Sequence, residues 1–115
     1  MIIKNIDEVP AQDVNMDGVK DVKVKVLFGP ADNAPTFAMR VFEMAPGGHT
    51  PFHTHPFEHL NYVISGYGSI VSEDKESKIK KGDFAFMPSN EKHQYRNDAD
   101  DEALVVICAV QKEYE

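Results

Sequence analysis

The chain has 115 residues, 42% of them hydrophobic, and a formal net charge of −7. This is the size of one domain with enough apolar residues to fill a core. Its basic residues are scattered apart from "KIKK" at 78–81, which argues against nucleic-acid binding. The single cysteine excludes an internal disulfide, and no apolar run is long enough for a transmembrane helix. The N-terminus "MIIKNIDEVP" lacks the apolar core of a signal peptide, so we expect a cytoplasmic protein with no membrane partner.

The first half of the chain predicts two strands separated by a loop. Residues 1–16 show no clear pattern, and we expect them to form an arm that packs on a partner subunit. Valines alternate with lysines within 19–29, which is typical of a half-buried strand. A loop rich in Pro, Asp and Asn follows at 29–36. The next strand is expected at 37–44, stopped by "APGG" at 45–48.

The second half predicts a series of short strands bounded by Gly, Pro and polar turns. These strands are expected at residues 60–65, on both sides of a polar hairpin near 73–77, and at 83–88, 93–97 and 103–111. No stretch of the chain shows a convincing helical period. The pattern predicts an all-β fold, an antiparallel sandwich or barrel, spanning residues 17–115.

Four histidines fall within eleven residues, at His49, His53, His55 and His59. His53 and His55 are two apart, and on a strand that spacing puts both rings on one face. Two imidazoles on one face are a metal-ligand spacing, although a pair of solvent-facing histidines has the same spacing.

His53 and His55 belong to a longer pattern of spaced histidines and glycines. Gly47 is followed after five residues by His53, then by His55, His59 after three more, and Gly66 after six more. This stretch resembles the first signature of the cupin family, in which two histidines, a glutamate and two flanking glycines have these positions.

A second stretch resembles the second cupin signature. It has Gly82, then Pro88 after five residues, Asn90 two residues later, His93, and Asn97 after three more. Asn90 stands where the family has glycine, and we expect the turn to survive because asparagine tolerates positive φ. The resemblance covers residues 47–97 and implies the family's antiparallel double-sheet barrel, a jelly roll.

The resemblance also implies a metal site. One divalent transition metal would be held by His53, His55, His59 and His93. His59 occupies the family's glutamate position, and Glu58 comes one residue early. Strand parity from His59 through Asn61 and Val63 favours His59 as the ligand. The alternative is Glu58, re-aimed by a bulge. His49 matches no ligand position and is expected in a loop or at the lip of the pocket.

Imidazole suits Mn, Fe, Co, Ni, Cu and Zn alike, so the ligands do not choose the metal. We expect Mn or Fe, with Ni, Co, Cu or Zn as the alternatives. Four neutral ligands would leave a formal charge of about +2, which favours an anionic substrate. The family further implies a homodimer that exchanges N-terminal strands.

Three further residues are candidate catalytic groups around the ion. Tyr95 shares the parity of His93 and is either a pocket wall or an ordinary core tyrosine. The resemblance places Cys108 in the pocket, where it could also be an inert buried thiol. Arg40 lies in an otherwise apolar strand. If it points inward it could bind a substrate carboxylate, and if outward it would pair across the sheet.

The resemblance favours a metal-dependent oxidoreductase of the dioxygenase type that acts on a small organic molecule. A metal-dependent isomerase or lyase is the alternative enzyme, and it would need a base from Tyr95, Glu43 or Glu58. A non-catalytic module that binds a small molecule or a metal is the alternative from another class.

Overall fold

The structure is a computed structural model that describes residues 1–112, and within this range it is built from antiparallel strands. The strands are β1 (Gln12–Asp13), β2 (Lys20–Phe28), β3 (Phe37–His49), β4 (His59–Ser65), β5 (Tyr67–Ser72), β6 (Glu76–Lys80), β7 (Phe84–Met87), β8 (His93–Asn97) and β9 (Leu104–Gln111). Two single-turn 3-10 helices, Ile6–Glu8 and Pro30–Asp32, are the helical segments of the described residues. The all-β prediction is therefore confirmed.

The strands form one curled sheet in the order β6-β5-β8-β3-β9-β4-β7, and β2 lies along β3 with β1 outside it. β3 joins the two halves of the sheet. Its first eight residues pair with β9, and its last residue, His49, pairs with Arg96 of β8. The sheet thus curls around an interior that is lined by both halves.

The prediction that β3 stops at 45–48 is wrong, because the strand runs on to His49. Gly47 adopts a φ of 76°, and the β2–β3 register shifts between Lys20 and Val22. A Cβ atom at Gly48 would lie 2.9 Å from the carbonyl oxygen of Lys20. The two glycines therefore allow the strand to bend and continue, as at a β-bulge, rather than ending it.

The interior is filled from alternate positions of the strands. On β9 the side chains of Leu104, Val106, Cys108 and Val110 are buried, and the residues between them are half-buried. The main core cluster also takes residues from β2, β3, β4, β7 and β8. Alternation along β9 thus turns Cys108 towards the interior, where the next strands place the histidines.

Residues 1–16 form contacts within the same chain. Gln12 of β1 pairs with Val24 of β2, and the Lys25 ammonium group donates to the carbonyl oxygen of Ile6 at 2.9 Å. Lys4 forms an ion pair with Asp32 at 2.9 Å. Exchange of this arm with a second subunit stays a prediction. Among the described residues, no helix has the length and apolar character needed to span a bilayer.

Candidate metal centre

Backbone hydrogen bonds hold the histidine segments together. His53 and His93 form an isolated antiparallel bridge, with N–H to O distances of 3.1 and 2.9 Å. Asn90 adopts a φ of 68° and donates its N–H to the carbonyl oxygen of His55 at 2.8 Å. The expectation that asparagine can replace glycine at this turn is confirmed. His53 and His55 lie in the connection between β3 and β4 rather than on a strand, so their common orientation comes from these bonds.

Three of the four motif histidines form one group of ligand atoms, and the fourth, His59, lies next to that group. Ligand atoms of His53, His55 and His93 all lie within 4.8 Å of one another. His59, the first residue of β4, brings its Nε2 atom to 3.3 Å from Nε2 of His93. The ring centroid of His59 is 5.3 Å from that of His55.

Hydrogen bonds fix the protonation of three of these rings. The Nδ1–H group of His55 donates to the carbonyl oxygen of Phe57 at 2.8 Å, and that of His93 donates to the carbonyl of Glu91 at 2.7 Å. His59 donates from Nδ1 to Oδ1 of Asn61 at 2.7 Å. Because each acceptor is an oxygen without a proton, each Nδ1 carries the hydrogen. In the neutral ring each Nε2 therefore keeps a free lone pair.

The facing Nε2 atoms of His59 and His93 fit a divalent transition metal. Two nitrogen lone pairs at 3.3 Å repel each other unless a proton or a cation lies between them. Two imidazole nitrogens that each lie about 2.1 Å from one ion are separated by roughly 3.0–3.4 Å. Burial lowers the pKa of His59 to about 4 and also lowers the pKa of His93. Both rings are thus neutral at neutral pH, which is the form that binds a metal.

Glu58 and His49 stand apart from this cluster. Glu58 is exposed, whereas the alternation along β4 buries His59, Asn61 and Val63. The parity prediction for β4 is confirmed. His49 is half-buried at the end of β3, where its Nδ1 atom lies 3.3 Å from Nε2 of Gln94. Neither Glu58 nor His49 lines the cavity onto which the other histidines open.

That cavity has a volume of about 780 Å³. The four clustered histidines line it together with Tyr95, Arg40 and Cys108, the three candidate catalytic residues. The predicted valine face of β2 forms an apolar wall through Val22, Val24 and Val26. The ring of Phe57 stacks on that of His55 with a centroid distance of 3.8 Å. The cavity thus combines a few polar groups with mainly apolar walls, as small-molecule sites do.

Asn61 is a site residue that the analysis of the sequence missed as a functional group. Its Oδ1 atom accepts hydrogen bonds from His59 and from the hydroxyl of Tyr95. Its Nδ2 group donates to the carbonyl oxygen of Ile107 at 3.2 Å, which fixes the orientation of the amide. The available signal was its parity with His59, two residues earlier on β4.

Arg40 lies half-buried in the cavity wall. Its Nη2 group donates to the Cys108 thiol at 3.5 Å, and its guanidinium carbon lies 5.0 Å from the centre of the Phe42 ring. Its Nε atom is buried and has no hydrogen-bond acceptor among the residues described. Sulfur is a weak acceptor, so the guanidinium lacks the strong oxygen partner that buried arginines usually have.

Comparison with known proteins agrees with this geometry. The family model for the cupin domain matches residues 40–110. The chain is 33% identical over 94 residues to 1-methylthio-D-xylulose 5-phosphate methylsulfurylase of Rhodospirillum rubrum, covering 82% of this chain and 58% of that protein. It is 30% identical over 81 residues to a 1-hydroxy-2-naphthoate 1,2-dioxygenase of a Nocardioides species, covering 68% of this chain and 21% of that protein. The chain thus spans less than two thirds of either relative.

Among solved structures, the polyketide cyclase RemF from Streptomyces resistomycificus superposes with a TM-score of 0.90 at 26% identity. The match covers 96% of this chain and 79% of that one. These likenesses confirm the predicted antiparallel double-sheet barrel. With the family match spanning more than half of its residues, the chain belongs to the cupin family.

Proposed function

We propose that His53, His55, His59 and His93 bind one divalent transition-metal ion, with Mn or Fe favoured, and that the protein is a dioxygenase-type oxidoreductase. The observation that carries the metal site is the set of Nδ1–H bonds from three rings to fixed oxygens, which leaves their Nε2 atoms available. Outer hydrogen bonds of this kind orient histidine ligands in metalloproteins. A redox-active ion bound there would supply electron transfer between an organic substrate and dioxygen.

The positions of the three candidate bases favour this proposal over an isomerase or lyase. Glu43 forms an ion pair with Lys25 at 3.2 Å and does not line the cavity, and Glu58 is exposed. The Tyr95 hydroxyl donates to Asn61, and burial raises its pKa above the usual value. Tyr95 is therefore held as a protonated donor, so none of the three candidate bases is free to accept a substrate proton.

The residues around the histidines bind and shield the substrate in this proposal. The apolar wall of β2 and the rings of Phe42 and Phe57 exclude water from the reacting end. Tyr95 acts as a positioning residue through Asn61 and His59. The relative named 1-hydroxy-2-naphthoate 1,2-dioxygenase supports the reaction class, although the chain covers 21% of that protein.

We also propose that the protein forms a homodimer through the outer face of the sheet. Phe86, Leu60, Ala109 and Met39 lie side by side in one row across β7, β4, β9 and β3. The side chains of Leu60 and Phe86 are 56% and 57% exposed, and Phe84 is 80% exposed in the neighbouring row. A contiguous exposed apolar face of this kind marks an interaction surface. A second copy would cover it with the same residues.

The proposed reaction is tested by oxygen uptake. Protein loaded with Mn²⁺ or Fe²⁺ is mixed with a panel of phenolic and enolic compounds, and dissolved oxygen is recorded against protein loaded with Zn²⁺. Uptake that depends on both the redox metal and one compound supports the proposal. Tight binding of a compound without uptake for any metal would support the non-catalytic binding module instead.

A further inference from the structure

The charge of the cavity is opposite to that of the whole chain. The chain carries a net charge of −7, yet Arg40 and Lys112 line the cavity and no Asp or Glu does so within residues 1–112. The proposed metal would add further positive charge beside the same walls. A cavity with two cations, no carboxylate among the described lining residues and mainly apolar walls is suited to an anionic ligand.

Arg40 is the cation whose hydrogen-bonding capacity is least satisfied. It makes no ion pair with any residue of the described range, and its one side-chain acceptor is the Cys108 sulfur. Arg96, on the outside of the barrel, instead pairs with both Glu76 and Asp98. Withdrawing a guanidinium from water without a carboxylate partner costs free energy, which a ligand that brings the anion would recover.

The register of the sheet relates Arg40 to the histidines. Arg40 pairs with Cys108 of β9, and Cys108 pairs with Asn61 of β4, so the three residues form one row across the sheet. Neighbouring strands are about 4.8 Å apart, which separates the backbone of Arg40 from that of Asn61 by roughly 10 Å along this row. The guanidinium reaches the Cys108 thiol on the middle strand, and Asn61 in turn binds His59. An anion on Arg40 would therefore leave the rest of the molecule facing the histidines.

From these relationships we infer that Arg40 binds the carboxylate of the substrate and that the substrate is an apolar monoanionic carboxylic acid. This inference rests on the proposed function, since it takes the histidine cavity as the substrate site. A carboxylate matches the planar fork of a guanidinium with two parallel hydrogen bonds. Lys112, the second cation of the lining, is exposed to solvent, so Arg40 offers one charge within the cavity wall, which matches one carboxylate and would leave one charge of a phosphate dianion unpaired.

Equilibrium binding tests the inference without any turnover. Metal-free protein at pH 8 is titrated by calorimetry with 2-naphthoate, its neutral isostere 2-naphthamide, and 2-naphthyl phosphate. The same titrations are run on Arg40→Met and on Arg96→Met, a matched loss of an arginine outside the cavity. Arg40→Lys serves as a second variant that keeps the charge but loses the fork. Circular dichroism checks the fold of each variant.

The wild type is expected to bind 2-naphthoate at least about tenfold more tightly than 2-naphthamide. Arg40→Met should reduce this preference to within about threefold, and Arg96→Met should keep it. In Arg40→Lys the preference for 2-naphthoate over 2-naphthamide should fall by at least about threefold. This variant tests the role of Arg40 if Arg40→Met does not fold.

Three results with the wild type would overturn the inference: equal affinity for the acid and the amide, tightest binding of the phosphate, or no binding of any probe. A preference for the acid that survives in Arg40→Met, or that is undiminished in Arg40→Lys, would also overturn it. Because the protein is metal-free, none of these results depends on oxygen chemistry. A negative oxygen-uptake experiment would count against the proposed reaction but not against carboxylate binding by Arg40. A negative binding experiment would count against the role of Arg40 but not against the proposed reaction.

Discussion

The Oδ1 atom of Asn61 accepts hydrogen bonds from both the Nδ1–H group of His59 and the hydroxyl of Tyr95. The side-chain amide is itself held by the carbonyl oxygen of Ile107. Asn61 therefore fixes which nitrogen of His59 carries the proton and the direction in which its Nε2 lone pair points. The proposed metal site is thus preorganised by a residue that is not one of its proposed ligands.

Replacing Asn61 by leucine should weaken metal binding by about 10- to 100-fold, because His59 loses the acceptor that orients it. Asn61→Asp is the matched variant, since it retains an acceptor oxygen at the same position. It should bind metal at least as tightly as Asn61→Leu and close to the wild type. Competition with a chromophoric chelator measures all three affinities. An affinity in Asn61→Leu equal to that of the wild type would show that Asn61 does not position His59.

Replacing Tyr95 by phenylalanine should leave most of the oxygen-uptake activity in place, reducing kcat by less than about tenfold. The hydroxyl acts only through Asn61 in our proposal, and it is not a base. Loss of general base catalysis would instead cost about 10²–10⁴-fold. Stopped-flow or electrode measurements of oxygen uptake distinguish the two. A loss in the larger range, with metal content unchanged, would return Tyr95 to the role of a base.

Asp98 stabilises the outside of the barrel through charge. Partial burial raises the pKa of this carboxyl, but hydrogen bonds from Ser69, Arg96 and Lys78 outweigh burial, so the pKa lies below its usual value. A lowered pKa means that the unfolded chain binds the proton more readily than the folded one. The stabilisation is therefore fully present above the unfolded pKa of about 3.9 and disappears as the pH falls through the folded pKa.

Asp98→Asn should consequently lower the free energy of unfolding by about 1 kcal/mol at pH 7. The difference from the wild type should shrink as the pH is lowered below about 4. Urea unfolding at several pH values measures both effects. Asp100→Asn, an exposed neighbour on the same turn, is the control and should change little. A deficit in Asp98→Asn that stays constant down to pH 2 would contradict the assignment to charge.

The outer apolar face predicts the effect of a charge on assembly. Phe86→Glu places a carboxylate in the row formed with Leu60 and should convert the dimer to monomer at micromolar concentration, because a buried unpaired charge is costly. Tyr67→Lys, an exposed aromatic of β5, is the control and should leave the dimer intact. Analytical ultracentrifugation measures the oligomeric state of both variants. A wild type that sediments as a monomer would refute the dimer itself.

Local sequence patterns predict most of the strands of this barrel. The features that they do not predict depend on contacts between residues that are distant in the chain. Alternation along β4 was enough to predict that the His59 side chain is buried, and Glu58, just before the strand, is exposed. Both faces of β9 are apolar, so only the pairing of β9 with β3 and β4 decides that Cys108 points inward. Gly47 and Gly48 suggest a stop, but long-range pairing carries β3 through them.

In the candidate site, too, the sequence predicts some features, and long-range contacts determine the others. The spacing of His53 and His55 indicated a common face, yet they lie in a connection, and a bridge to His93 together with the bond from Asn90 orients them. Asn61 also bonds to Ile107 and Tyr95, which are 46 and 34 positions away in the chain. Such partners cannot be recognised from one sequence, because nothing local marks them as neighbours.

Elemental analysis of tag-free protein, beside His59→Ala and Glu58→Ala, shows whether the four histidines bind one metal. We expect about one transition-metal ion per chain in the wild type and in Glu58→Ala, and a marked loss in His59→Ala. Retention of metal in His59→Ala with loss in Glu58→Ala would contradict it, as would a wild type that neither carries nor accepts a metal.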